Sequence, residues 1–320
     1  MRKHSIANFV IGLHMSFEQG GGGCVVQCYL ANLLRHRGFN VRVLTTWTNP
    51  PELTPPNFIF THAGTDKPTD IDVSSDDTIV IYCEGVDGNP FGAKNVVRWM
   101  LSELGKNVPH TCMHSWGKNE VVYYFNGEPK HFREPEKMGN IYRLFSLIYF
   151  NPNVKQYNHH PRNKECYTLR KAIHRVYHKH LHKIHSNNST HIEFDNNHNA
   201  TISIFNNYKC FYSYDPLTWL IFMAPVCGCY TIVYPVKGQD KRTWLSNTSL
   251  DIYMKERNIE DIYGVGYGLS EREYAKSTLH LAKQQWDDMK YYFNVTCLDK
   301  FLGDMNHFHD LNNRVENNFA

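Results

Sequence analysis

Three groups of residues in this 320-residue chain have the types and spacing that chemistry needs. The first is Glu18-Gln19-Gly20-Gly21-Gly22-Gly23, between the apolar run Ile6–Leu13 and the helically spaced Cys24–Arg37. Glycines at a strand-to-helix junction let a backbone approach a ligand closely, and the helix N-terminus beyond offers unpaired N–H groups to an anion. The run lacks both the Gly-x-Gly-x-x-Gly spacing and a following Lys-Ser/Thr, so it is neither a dinucleotide fingerprint nor a P-loop. A plain flexible turn is the competing reading. The second group is Arg170-Lys171, after the strand-like Cys166–Leu169. Two cations at a strand end are suited to neutralising a diphosphate leaving group, although solvated surface positions are commoner for these residues. The third is Tyr212-Ser213-Tyr214-Asp215-Pro216-Leu217-Thr218, where Asp215 suits an N-cap and Pro216 the first helical position. That helix would aim its first N–H groups and the Thr218 hydroxyl into a cleft at the strand ends.

General acid–base work needs a carboxylate or imidazole at such strand ends. Candidates are His14, Glu18, Glu84, Asp87 and His114. Glu84 follows the most hydrophobic strand of the first half, where desolvation raises a carboxyl pKa, and His14 holds the equivalent place after the first strand. Nine of the 19 histidines fall between His159 and His198, with His174, His178 and His182 at four-residue spacing. Imidazoles at i and i+4 can hold a metal, but no Glu, Asp or Cys within the helix carrying these three completes a ligand set, so no metal site is expected. Asp70-Ile71-Asp72 precedes a strand and reads as a solvated loop rather than a metal–diphosphate bridge. Cys227-Gly228-Cys229 reads as packing.

These residues must be positioned by elements, and the chain alternates strand-like and helix-like stretches throughout. Ile6–Leu13, a helix over Cys24–Arg37 closed by Gly38, and Val41–Thr46 form a βαβ unit. Asp77–Tyr82 reads as a buried strand, Phe91–Leu104 as an amphipathic helix, and Val108–His114, Val121–Phe125 and Phe145–Phe150 as strands. Asn151–His159 marks a domain boundary. Beyond it, His174–Ile184 reads as a helix, His191–Phe194 and Cys210–Tyr214 as strands, Asp215–Gly228 as a helix and Tyr230–Tyr234 as a strand. Asp251–Asn258, Ser270–Ala282 and Trp286–Phe293 read as helices. The expectation is α/β with two doubly wound domains, 1–153 and 154–320, the last helix packing back on the first.

Composition narrows the function. A net charge of +3 and a pI near 8.3 are too mild for a dedicated nucleic-acid binder. No run reaches the roughly 18 apolar residues of a membrane helix, so no membrane span is expected. Nine scattered cysteines, an odd number, suit a reduced, cytoplasmic protein.

Several segments resemble GT-B-fold nucleotide-sugar glycosyltransferases, including bacterial and viral members. They are Gly20–Gly23 with Leu30-Ala31-Asn32-Leu33-Leu34, Gly38-Phe39 and Val41; Ile79–Gly85 with Gly88-Asn89-Pro90 and Asn95–Trp99; and Phe211–Thr218 with Cys227-Gly228-Cys229. The resemblance implies two Rossmann-like domains facing a central cleft, with the nucleotide-sugar donor on the C-terminal one and a glycan or glycoprotein acceptor on the N-terminal one. It implies donor contacts from Gly21, Gly22, Gly23, Arg170, Lys171, Tyr214, Asp215 and Thr218, with Glu84 or His14 as catalytic base. Retaining members carry two Glu eight residues apart on the donor-side helix. Here the corresponding positions are Asp215 and Met223, which points to inversion. No cofactor and no metal are expected, since the nucleotide sugar is a substrate. The alternative is a nucleotide- or carbohydrate-binding protein on the same fold without catalysis. A dehydrogenase or epimerase would need the absent fingerprint and an acidic residue where Thr45, Thr46 and Trp47 stand.

Overall fold

The computed structural model describes residues 6–13, 17–45, 61–62, 70–102, 104, 108–117, 120–126, 142–169, 182–193, 198–216, 218–246 and 248–306. They fall into two compact units. One ends at Tyr149 and takes up the chain again from Tyr292; the other is Phe150–Tyr291.

The first unit is built on seven strands: β1 (Asn8–Leu13), β2 (Asn40–Thr45), β3 (Thr61–His62), β4 (Thr78–Cys83), β5 (Asn95–Met100), β6 (Val121–Tyr124) and β7 (Tyr142–Leu144). Their order is β3-β2-β1-β4-β5-β6-β7 and every pairing is parallel. Both faces are buried, as parallel sheets require. Alternate residues Phe9, Ile11, Val41, Val43, Ile79, Ile81, Val97 and Trp99 face one core with Cys28, Leu30, Ala31 and Leu34 of α1 (Phe17–His36). Leu298, Phe301 and Met305, from the helical stretch 297–306, complete this core. Val10, Val80, Tyr82 and Val96 face the other side, covered by Ile71, Val73, Phe91 and Ala93 from loops.

Phe91–Leu104 contains a strand, not an amphipathic helix. Val96, Val97, Trp99 and Met100 have a helix-like spacing because both faces of β5 are buried, and a two-sided strand loses its alternation. Val108–His114 is not a strand; His110–Ser115 is a 3-10 helix. Residues 145–150 run on beyond β7 without entering the sheet. The first helix starts at Phe17, not after the glycines, so Gly20–Gly23 lie within it. Each glycine costs about 1 kcal/mol relative to Ala in a helix interior, and packing of the buried face beyond it offsets that.

The second unit carries β8 (Glu165–Thr168), β9 (Thr190–His191), β10 (Cys210–Ser213), β11 (Tyr230–Val233) and β12 (Val265–Tyr267), in the order β12-β11-β10-β8-β9, all parallel. Its helices are α2 (His198–Asn207), α3 (Leu220–Val226), α4 (Lys241–Leu245), α5 (Ser249–Arg257), α6 (Arg272–Thr278) and α7 (Ala282–Tyr291). The helix expected over Asp215–Gly228 shortens to α3, and β12, α2 and α4 were not anticipated. Most of the expected helix His174–Ile184 lies outside the described residues; 182–184 are not helical. The fully buried Asn206, near the end of α2, donates to the carbonyls of Lys155 and Ile202 and accepts the Tyr157 N–H. Arg162 donates to the carbonyls of Phe205 and Cys227, satisfying acceptors where α2 and α3 end.

Candidate functional site

An open parallel sheet binds ligands at the carboxyl ends of its strands, where strand order reverses direction. The first sheet reverses between β1 and β4, which end at Leu13 and Cys83. The second reverses between β8 and β10, which end at Thr168 and Ser213. Glu84 follows β4 directly, and Tyr214 and Asp215 follow β10. His14, Arg170 and Lys171 lie outside the described residues.

Glu84 is buried, 7% exposed, and its Oε2 accepts the Leu101 N–H at 2.9 Å, linking the end of β4 to the end of β5. Burial raises its pKa above the ordinary carboxyl value, and hydrogen bonds from the backbone at Glu84, Leu101 and Ser102 offset only part of the rise. A carboxylate with a raised pKa is a stronger proton acceptor. Leu101 also bounds the glycine run: a Cβ on Gly23 would lie 3.5 Å from its Cδ1, whereas a Cβ on Gly22 would meet nothing within 4 Å.

The glycines' expected role changes in one respect. They stand beyond the first four helical positions, so the N–H groups of Gly21, Gly22 and Gly23 are taken by intrahelical bonds rather than left for an anion. What remains to them is the absence of a side chain.

In the second unit, Tyr214 is buried and anchored by its N–H to the Thr168 carbonyl at 3.1 Å. Its hydroxyl accepts the Ile184 N–H at 2.9 Å and lies 2.7 Å from His185 Nδ1. The Tyr214 ring stacks on Tyr234 at 5.2 Å, and the Tyr234 hydroxyl accepts the His182 N–H at 3.3 Å. His185 lies flat on Tyr167, ring centroids 3.7 Å apart. Residues 182–185 thus form a strap held across the ends of β8, β10 and β11. Burial lowers the His185 pKa, with Lys183 and His191 pushing the same way and Glu165 opposing. Burial also raises the Tyr214 phenol. Tyr167 and Tyr234 carry no motif in the sequence; aromatic residues recurring at strand ends are the available signal.

Asp215 and Thr218 are both buried, but not in the expected arrangement. The residue before α3 is Trp219, which makes no side-chain cap bond, so Asp215 is not the N-cap and Pro216 is not the first helical residue. The Asp215 carbonyl accepts the Ser213 hydroxyl at 2.7 Å, and Thr218 Oγ1 accepts the Leu220 N–H at 3.4 Å. The helix starts late, and Tyr214, Asp215 and Thr218 are buried between the end of β10 and its first residue, Leu220.

Asp70 pairs with Arg42 of β2, and Asp72 accepts the N–H and hydroxyl of Ser74 in its own loop. Among the described residues, no group of three His, Cys, Asp or Glu could hold a metal ion. No described helix is long and apolar enough to cross a membrane, and none of the nine cysteines is in a disulfide.

No protein-family model matches the sequence, and no curated protein does. Solved structures that resemble the chain over nearly its whole length include two glycosyl-type transferases. The spinosyn forosaminyltransferase SpnP is 13% identical, with 93% of this chain and 100% of that chain covered, at a TM-score of 0.39. An α-glucosyltransferase in complex with UDP and a 13-mer DNA containing an HMU base is 11% identical, with 94% and 99% covered, at a TM-score of 0.52. The second supports a GT-B-like fold of two Rossmann-like units, in agreement with the strand orders above.

Proposed function

We propose that this chain is a glycosyltransferase that moves a sugar from a nucleoside-diphosphate sugar to a hydroxyl of a glycan acceptor, with inversion and without a metal. The observation that carries the reading is the second unit's switch point, where buried Tyr214, Asp215 and Thr218 follow β10 on a fold shared with a UDP-bound glucosyltransferase. In this reading the second unit holds the donor, and Arg170 and Lys171 neutralise the departing diphosphate. Glu84, or His14, takes the proton of the acceptor hydroxyl as that oxygen forms its bond to the anomeric carbon and the bond to the diphosphate breaks. The lack of side chains at Gly21, Gly22 and Gly23 lets the donor approach the backbone closely in this reading, and a Cβ on Gly22 would meet nothing within 4 Å. Metal independence belongs to this reading and is supported by the pairing of Asp70 with Arg42 and of Asp72 with Ser74.

Binding without catalysis is the second reading. Met223 favours it, because this buried α3 residue supplies no carboxylate to the donor side.

Calorimetry with UDP, GDP, dTDP, CDP and NAD, with and without Mg²⁺, tests the proposal. Binding of one nucleoside diphosphate, insensitive to Mg²⁺ and lost in Arg170→Ala/Lys171→Ala, supports it. Preference for NAD or binding of no diphosphate refutes it, and binding with neither transfer nor donor hydrolysis selects the second reading.

A further inference from the structure

Arg98 is fully buried on β5, an unusual place for a guanidinium. Its Nε donates to Glu120 Oε2 at 2.6 Å and its Nη2 to Glu120 Oε1 at 3.1 Å. The remaining donors reach out of the sheet to the loop after β4: Nη1 to the Val86 carbonyl at 2.7 Å and Nη2 to the Gly88 carbonyl. The Tyr82 and Trp116 rings face the cation at 4.9 and 5.3 Å. The same loop is pinned at two more points. The Gly88 N–H donates to Ser115 Oγ at 2.9 Å, and Asn89 Oδ1 accepts the Tyr82 hydroxyl and the Ala93 N–H.

The loop's orientation follows from peptide planarity. In a trans peptide the carbonyl and the next N–H point in opposite directions. Drawing the Val86 and Gly88 carbonyls in to the guanidinium therefore turns the N–H groups of Asp87 and Asn89 outward, and both residues are exposed. Neither N–H donates to a partner among the described residues. Two outward donors of alternate residues stand directly after Glu84, at the carboxyl end of β4, where the first sheet reverses. The Asp87 carboxylate beside them disfavours an anion, so the matching ligand atoms are neutral oxygens, those of a sugar's hydroxyl groups.

We infer that the Asp87 and Asn89 N–H groups bind hydroxyl oxygens of the acceptor sugar and that Arg98 is the positioning residue that sets them. This deepens the transferase reading and rests on it.

Amide spectra of the wild-type chain and of Arg98→Lys, titrated with methyl β-D-glucopyranoside and methyl α-D-mannopyranoside and separately with UDP and GDP, test it. Lysine keeps the charge but is a single point donor, unable to span two carbonyls and a carboxylate. The expected result is that a glycoside shifts the Asp87 and Asn89 amides, with affinity at least tenfold weaker in Arg98→Lys and diphosphate affinity unchanged. A merely structural Arg98 would weaken both ligands together or neither. Should Arg98→Lys not fold, Glu120→Gln, which keeps the side chain's shape, takes its place with the same expectation. Glycosides that leave both amides unmoved while a diphosphate binds overturn the inference and leave the transferase reading standing. A diphosphate that fails to bind wild type overturns both.

Discussion

Phe301 tests the most consequential feature of the first unit, that its core is completed by a segment about 150 residues away from the rest of it. The side chain is 2% exposed. It stacks on Phe145 at 4.3 Å, meets Tyr123 edge-on at 5.2 Å and lies 6.5 Å from Phe9. Phe301→Ala removes that buried surface and leaves a cavity between three rigid rings that cannot collapse easily, a cost of about 3–5 kcal/mol. At one decade per about 1.4 kcal/mol, the amides of β1, β5 and β6 that open only on global unfolding of the unit should exchange roughly two to three and a half decades faster. Hydrogen exchange read by mass spectrometry measures this, with β10 and β11 peptides as the internal reference. Removing everything after Tyr291 deletes Leu298 and Met305 as well, and about 7–15 kcal/mol for three such side chains matches the whole stability of an ordinary domain. The truncated chain should therefore lose protection throughout the first sheet. Less than a tenfold change in Phe301→Ala, or a protected first sheet in the truncated chain, would refute the assignment of this segment to that core.

The remaining predictions concern charge and the strap. Glu120→Ala strands a fully buried guanidinium and should cost about 3–5 kcal/mol in denaturant unfolding; a loss under about 1 kcal/mol would contradict the buried pair. Because Glu84 has its pKa raised in the folded state, its contribution is fully present below about pH 4.5 and is lost as pH rises through the folded value. Glu84→Gln should remove that fall from the stability–pH curve, and an unchanged curve would place Glu84 in water. His185 has the opposite sign: its lowered pKa means stability rises with pH between the folded value and 6.5, and His185→Phe should flatten that limb. Tyr214→Phe removes the acceptor of the Ile184 N–H, so the Ile184 amide should exchange faster while the β10 amides keep their protection; equal loss in both would mean Tyr214 serves the sheet and not the strap.

Much of the architecture is legible locally. The short, largely apolar runs of β1, β2, β4, β10 and β11, with helix-spaced residues between, are enough to call for two βα-type units. The parallel sheets and their strand orders agree. Glu84 was also legible, because a carboxylate directly after the most hydrophobic strand lands at a strand end and is desolvated there. The tertiary structure decided what depends on partners distant in sequence. β5 reads as a helix until both its faces are seen covered, since burial on two sides erases the period that distinguishes the two. Where α1 begins was set by packing of its buried face, which carries four glycines into the helix that propensity alone would leave outside. Asp215 has the composition of a cap, yet its place in a buried turn is fixed by Ser213 and by the residues closing over β10. The strap on Tyr214 and Tyr234 and the Arg98 clamp on the Val86–Gly88 loop join residues 10 to 52 positions apart, and no local pattern encodes such contacts. Local sequence determines which elements form wherever a short apolar, β-branched run or a helically spaced stretch is bounded by turn residues; only the assembled molecule determines which polar atoms meet at the strand ends, because that depends on which strands become neighbours.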